Sequence, residues 1–290
     1  MSELVSIIIP VYNSAQFLKD SIESVLNQTY SNIEIICIND GSTDNSLEIL
    51  QSFSDRIYIV SQDNKGLASA LNVGIKEMQG KWFKWFSPDD IMYPNTIESL
   101  VKTAKKYPDR IIYSNWEMID ESGNKLQEFY ESNYNELSTF EYNIRLLDGQ
   151  QINVNTSLIP SNLLEKCHIR KLEEPVAIDY DFFLHSALLH NTKFYLIPQS
   201  LIKYRIHTKQ LSHKNISQIL DYISELKYKI LMKIDESSRN QYEIRFIQYQ
   251  KNKPKKRKIL EFGMKLLSFT PSWVSDKFFI YYLNHVRHSR

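Results

Sequence analysis

Apolar positions in the first 120 residues fall alternately into short branched runs and into stripes at helical spacing. Val5-Ser6-Ile7-Ile8-Ile9-Pro10-Val11 is a near-continuous branched run, as a parallel strand covered on both faces requires. Leu18, Ile22, Val25 and Leu26 then lie on one helical face, with Asn13 or Ser14 placed to cap its start. Ile33 to Ile38 predicts a second buried strand, and Leu47, Ile49, Leu50 and Phe53 a second helix. Arg56 to Ser61 reads as a third strand, followed by a stripe of Leu67, Ala70, Leu71, Gly74, Ile75 and Met78. The aromatic run Trp82 to Phe86 predicts a fourth strand that ends at Ser87-Pro88 and two adjacent carboxylates, Asp89 and Asp90. Pro94 opens a helix carrying Ile97, Leu100, Val101 and Ala104, and Ile111 to Ile119 reads as a further strand.

Four βα units in succession predict an α/β fold, a Rossmann-like, mostly parallel sheet flanked by helices. Such sheets bind ligands at the carboxyl ends of their strands. Pro10 to Asn13, Asp40 and Asp89, far apart in sequence, therefore share one rim. From Leu126 to Ser161 the pattern is irregular, with an amphipathic piece around Phe140, Ile144 and Leu147, as in a segment that covers a site. Asp179-Tyr180-Asp181 starts a helix, and Lys193 to Ile197 and Leu201 to Ile206 read as two short strands separated by Pro198. Beyond Lys214 the spacing of Ile216, Ile219, Ile223, Leu226 and Ile230 is helical. The expected division is a main domain over residues 1–212, with a nucleotide-type sheet in 1–120 and a second part in 121–212, followed by a helical extension over 213–290.

The formal net charge of +1 conceals a polarity: residues 251–290 hold ten Lys and Arg against Glu261 and Asp276, leaving 25 basic and 32 acidic residues before them. An acidic site-bearing part argues against nucleic acid as a partner. The basic run from Lys253 to Lys258 precedes a stretch rich in aromatics, including Phe262, Phe269, Trp273 and Tyr281. That composition suits contact with an anionic membrane surface or a homodimer interface, against the plainer reading that it packs on the main domain. Cys37 and Cys167 are the only cysteines, which offers no disulfide framework or thiolate metal site. The apolar run at Val5 is too short for a signal peptide or a membrane span, so a cytoplasmic protein is expected.

Two aspartates side by side repel each other unless a cation shares them, so Asp89-Asp90 suggests a metal; a turn or a helix cap is the plainer alternative. The remaining polar strings decide the matter. Val5 to Asn13, Ile38-Asn39-Asp40-Gly41-Ser42-Thr43-Asp44, Asn64-Lys65-Gly66 with Asn72 and Gly74, Asp89-Asp90, Asp179-Tyr180-Asp181 and Tyr204-Arg205-x-His207 occur in one order. Together they resemble the inverting glycosyltransferases of family 2, which have the GT-A fold, over about residues 4–212.

The resemblance implies a transferase that moves a sugar from a nucleotide sugar, a UDP-sugar by preference, to a hydroxyl of a cell-surface polysaccharide or lipid-linked glycan precursor. Pro10, Val11, Tyr12, Asn13, Asp40, Asn64, Lys65, Asp89, Asp90 and Arg205 are then expected to bind the nucleotide sugar. Asp89 and His207 are expected to hold Mn²⁺ or Mg²⁺, and Asp179 to act as the base. Arg205 suits a diphosphate through its planar fork. The chain departs from the family pattern at Ser87, where the first metal-motif Asp usually stands, at Leu71, usually Arg, and at Ile178, usually Glu. Those departures make a non-catalytic nucleotide or glycan binder of the same fold the alternative. A sugar-phosphate nucleotidyltransferase is disfavoured, because Tyr12-Asn13-Ser14-Ala15 is not a Gly-rich phosphate loop.

Overall fold

The computed structural model describes residues 2–259 apart from 132, 133, 150, 151, 174, 209, 211–215, 256 and 257. In chain order the described elements are β1 (Val5–Val11), α1 (Ala15–Leu26), β2 (Ile33–Asp40), α2 (Ser46–Gln51), β3 (Tyr58–Gln62), α3 (Leu67–Glu77), β4 (Trp82–Trp85), β5 (Ile91–Met92), α4 (Thr96–Ala104) and β6 (Arg110–Ile119). They continue with β7 (Lys125–Phe129), α5 (Thr139–Asp148), a 3₁₀ turn (Val154–Thr156), β8 (Ile159–Pro160), α6 (Ser161–Leu164), a second 3₁₀ turn (Pro175–Ala177), α7 (Ile178–His190), β9 (Lys193–Arg205), α8 (Ile216–Leu231) and α9 (Glu236–Asn252).

One sheet has the order β3-β2-β1-β4-β8, with the first four strands parallel and β8 antiparallel to β4. The second, β5-β9-β6-β7, is mixed, and a bridge between Ile112 and Leu158 joins it to the first. Alternation along β1 explains the layers. Ile7 and Ile9 face a core built with α1 and α4, whereas Ile8 faces the core that contains α3, α5 and α7. Both faces are covered, so β1 is buried throughout, as its branched run requires.

The main departures from the sequence pattern lie in the second half. Lys193 to Arg205 is one strand and not two: Pro198 and Gln199 bulge out of the β6 pairing between Ile197 and Ser200, and Asn115 donates to the Pro198 carbonyl at 3.1 Å. The irregular stretch after Leu126 contains β7, α5, a 3₁₀ turn, β8 and α6, short pieces whose burial comes from tertiary packing. Pro94 stands just before α4 and not in its first turn, the cap position being Asn95.

Helices α8 and α9 pack against the preceding domain. Leu226 and Ile230 are buried beside α7, and Arg245 of α9 pairs with Glu141 of α5 through two hydrogen bonds of 2.9 and 3.1 Å. Among the described residues no helix is long and apolar enough to cross a membrane. The aromatic stretch proposed for membrane or dimer contact, from Leu260 onward, lies outside the described residues.

Candidate active site

The rim at the carboxyl ends of β1 and β2 is built by loops that tie one another down. Pro10 and Val11 are buried in the strand, so their side chains serve the core, and Tyr12 and Asn13 are the exposed residues. Asn13 adopts φ +48°, a left-handed conformation that Asn tolerates better than most residues. Its N–H donates to Ser42 Oγ at 3.1 Å, and its Oδ1 accepts from the Thr43 N–H at 2.8 Å. Helix α1 is capped from the neighbouring loop: the Ala15 N–H donates to Asp44 Oδ2 at 3.1 Å, while the Ser14 hydroxyl, expected as the cap, donates back to the Tyr12 carbonyl. Partial burial would raise the Asp44 carboxyl, but hydrogen bonds from Ser46 and Ala15 outweigh it and hold the group below its ordinary range.

Asp40 at the end of β2 organises the loop before α3. Its Oδ1 accepts from Gln62 Nε2 at 2.6 Å and the Lys65 N–H at 2.9 Å, and its Oδ2 accepts from the Gly66 N–H at 2.9 Å. Three of roughly four acceptor positions are therefore used inside the protein. Asn64 and Lys65 stand exposed on the loop so held. Gly41, next to Asp40, has φ +70°, and a Cβ there would lie 2.6 Å from the Asn64 backbone nitrogen. Gly41→Ala is expected to cost about 1–3 kcal/mol of stability through strain and to push the 62–66 loop away; thermal melts and nucleotide titration check both effects.

The acidic turn after β4 separates its two aspartates sharply. Asp89 is partly exposed, and its Oδ2 lies 3.0 Å from His207 Nε2, beyond the end of β9. The Phe17 ring of α1 lies tilted against the His207 ring at 4.8 Å, so α1 links the Asn13 loop to this pair. Asp90 is fully buried: its Oδ1 accepts from the Arg205 N–H at 2.8 Å and its Oδ2 from Asn155 Nδ2 at 2.6 Å. Burial first, and the Asp89 charge second, raise its carboxyl well above the usual range. Asp90 is therefore a correction to the expected substrate contacts, since it faces the interior. Arg205 is another. Its Nε donates to the Asp89 carbonyl at 2.9 Å, its Nη1 to the Glu121 carbonyl at 2.8 Å, and its Nη2 reaches Asp20 at 3.3 Å, over the Phe17 ring. The fork that suited a diphosphate is spent on main chain and on Asp20.

Lys84 of β4 is wholly buried and donates to the Asn155 carbonyl. Burial lowers its ammonium to about 7 despite the nearby Asp90. The unfolded side chain keeps its proton to about 10.5, so between these values the unfolded chain binds more protons and stability rises with pH. Denaturant melts are expected to show the parent gaining on Lys84→Met above neutral pH, by at most about 1.4 kcal/mol per pH unit.

Asp179 lies on a different element, in the first turn of α7, half-buried, with its Oδ1 accepting from the Tyr180 N–H at 2.7 Å. That turn is anchored by Asp181, which is buried and paired with Arg170 through two hydrogen bonds, and by His185, whose Nδ1 is 3.1 Å from Asp181 Oδ1. Asn72 of α3 donates to the Ile169 carbonyl at 2.8 Å, which ties the approach to α7 to α3. Leu71 and Ile178, the two departures toward apolar residues, are buried in one common core cluster.

Residues 6–159 match the model of the family described as Glycosyl transferase family 2. The chain belongs to that family. An uncharacterized glycosyltransferase of Rickettsia prowazekii is 38% identical over 228 residues, covering 76% of this chain and 70% of that one. Glycosyltransferase GlyA of Streptococcus pneumoniae is 31% identical over 245 residues, 78% of this chain but 34% of its own length. Among solved structures, residues 1–349 of Staphylococcus aureus TarS in complex with UDP-GlcNAc superpose with a TM-score of 0.63 at 14% identity, covering 84% of this chain and 71% of that one. The fold of this family 2 glycosyltransferase is accordingly GT-A-like, with a parallel-rich sheet between helices.

Asp89 and His207 fit the divalent cation that the family implies. Adjacent ligands of an octahedral ion, each about 2.1 Å from it, stand about 3 Å apart, which is the spacing of these two donor atoms. As the structure stands the two meet as a pair in which Nε2 donates to the carboxylate, and His207 Nδ1 is buried with no hydrogen-bond partner among the described residues. Among the described residues no group of three or more His, Cys, Asp or Glu gathers at ligand spacing. The protein thus offers two donors here, and phosphate oxygens and water would supply the others.

Proposed function

We propose that this glycosyltransferase is an inverting enzyme that takes a sugar from a UDP-sugar and places it on a hydroxyl of a cell-surface polysaccharide or lipid-linked glycan precursor. The observation that carries the reading is the Asp89–His207 pair, standing beside α1 at the sheet edge where Asn13 and Asp40 shape the loops. The uridine preference draws on TarS, whose structures contain UDP-GlcNAc or UDP. Tyr12, Asn13, Asn64 and Lys65 form the exposed nucleotide rim, and Asp40, buried beneath it, holds the loop that presents Asn64 and Lys65.

Asp89 and His207 would hold Mn²⁺ or Mg²⁺, with the diphosphate supplying further oxygens. When bound, the cation offsets negative charge as it develops on the leaving group. Asp179 takes the proton of the acceptor hydroxyl, the oxygen bonds to the anomeric carbon, and the bond from that carbon to the diphosphate oxygen breaks, its electron pair leaving with UDP. A single displacement of this kind inverts the anomeric centre. The acceptor is a membrane-borne glycan in this reading, with the basic aromatic tail resting on the inner face of the cell membrane or joining two copies.

The rival, a non-catalytic binder of the same fold, rests on the departures at Ser87, Leu71 and Ile178. Purified protein incubated with a panel of nucleotide sugars, with Mn²⁺ or with EDTA, separates the two. Release of UDP from a UDP-sugar only in the presence of the cation is expected, and binding of UDP-sugars without turnover on any acceptor would support the binder instead.

A further inference from the structure

The 3₁₀ turn Val154–Thr156 lies in the stretch that was least legible in the sequence, yet it packs directly beneath the acidic turn. Asn155 is 3% exposed, and all its polar groups are engaged. Its Oδ1 accepts from the Ser87 N–H at 2.8 Å, its Nδ2 donates to Asp90 Oδ2 at 2.6 Å, its carbonyl accepts from the Lys84 ammonium, and its own N–H donates to Asn153 Oδ1 at 3.0 Å. One residue therefore grips the strand, the first residue of the turn and the carboxylate that follows Asp89.

Those bonds leave Asp89 in a defined position. On one side Ser87 is held by Asn155; on the other Asp90 is held by Asn155 and by the Arg205 N–H, and Arg205 Nε takes the Asp89 carbonyl. The Asp89 side chain alone is left to face His207. A carboxamide suits this place because it accepts from a main-chain N–H and donates to a carboxylate at once. A carboxylate of the same shape keeps the first bond and loses the second. A buried amide is costly unless so satisfied, and packing between two sheets does not call for one.

The geometry points to Asn155 as a positioning residue for the Asp89–His207 pair, touching no substrate and acting by fixing the acidic turn. The inference rests on the proposed use of that pair to hold a cation and a diphosphate. It also gives the Ser87 position a role: its main chain, not a side-chain carboxylate, is the handle by which the turn is held.

Calorimetric titration of the full chain with UDP, with and without Mn²⁺, tests it on the parent, Asn155→Asp and Asn155→Ala. UDP affinity without Mn²⁺ is expected to stay unchanged in both variants, while the gain that Mn²⁺ confers shrinks about 10- to 100-fold, the usual effect of removing a partner behind a metal ligand. A variant that keeps the full Mn²⁺ gain overturns the role of Asn155. A variant that loses metal-free UDP binding in the same proportion, or that fails to fold, marks a residue of the scaffold and overturns it too. If Mn²⁺ gives the parent no gain, the cation reading itself is wrong and the inference falls with it, a result distinct from the other two.

Discussion

Asp179→Asn is expected to lower the rate of sugar transfer by about 10²- to 10⁴-fold, the usual contribution of a positioned base, while UDP binding and the folding midpoint stay at parental values. Asn has the shape of Asp, and its Oδ1 can still accept the Tyr180 N–H that Asp179 accepts at 2.7 Å. The anchoring of α7 through Asp181, Arg170 and His185 is also untouched. The substitution removes the capacity to take a proton. Single-turnover transfer rates, read beside UDP titration, check the expectation, and full transfer by the folded variant would sink the assignment of the base.

The second large effect is expected at Asp89. Asp89→Ala should reduce turnover by about 10²- to 10³-fold, the scale of losing one preorganised partner of developing charge. The residue is partly exposed and its carboxylate contacts His207, so the fold should tolerate its loss. Its neighbour should behave in the opposite way. Asp90→Ala leaves the Arg205 N–H and the Asn155 amide unpaired inside the protein, and it should show in stability before activity. Thermal melts and steady-state rates on the two variants distinguish a residue that works on substrate from one that supports the turn.

This contrast between adjacent aspartates marks where the sequence stopped being informative. The strands β1 and β2 were legible because a sheet covered on both faces leaves a run of branched residues, and that signal is local. The rim residues followed from topology, since parallel strands bring Asn13, Asp40 and Asp89 to one edge. What side chains do there was not local. Arg205 looked like a diphosphate ligand until the structure placed carbonyls of Asp89 and Glu121 around its guanidinium. Asn155 gave no signal, because a three-residue 3₁₀ turn has no periodicity and its partners lie some 65–71 residues away. Lys84 did carry one: a lysine inside an aromatic strand buried on both faces needs a partner, and that cost could have pointed to a polar node beneath the turn.

Pro198 misled for a related reason. It was read as a break between two strands, whereas the sheet absorbed it in a bulge whose carbonyl Asn115 satisfies. The departures at Leu71 and Ile178 fall in the same apolar cluster, so the chain is apolar at both of these family positions.

A uridine nucleotide and a cation are expected to meet at the sheet edge. Thermal midpoints of the purified chain, measured with UDP, GDP, CDP and ADP, each with and without Mn²⁺, test this directly, because a ligand that binds the native state raises the midpoint. The predicted result is a rise with UDP that Mn²⁺ enlarges in the parent but not in Asp89→Ala. A midpoint indifferent to UDP, or a UDP response that Mn²⁺ leaves unchanged, would contradict it.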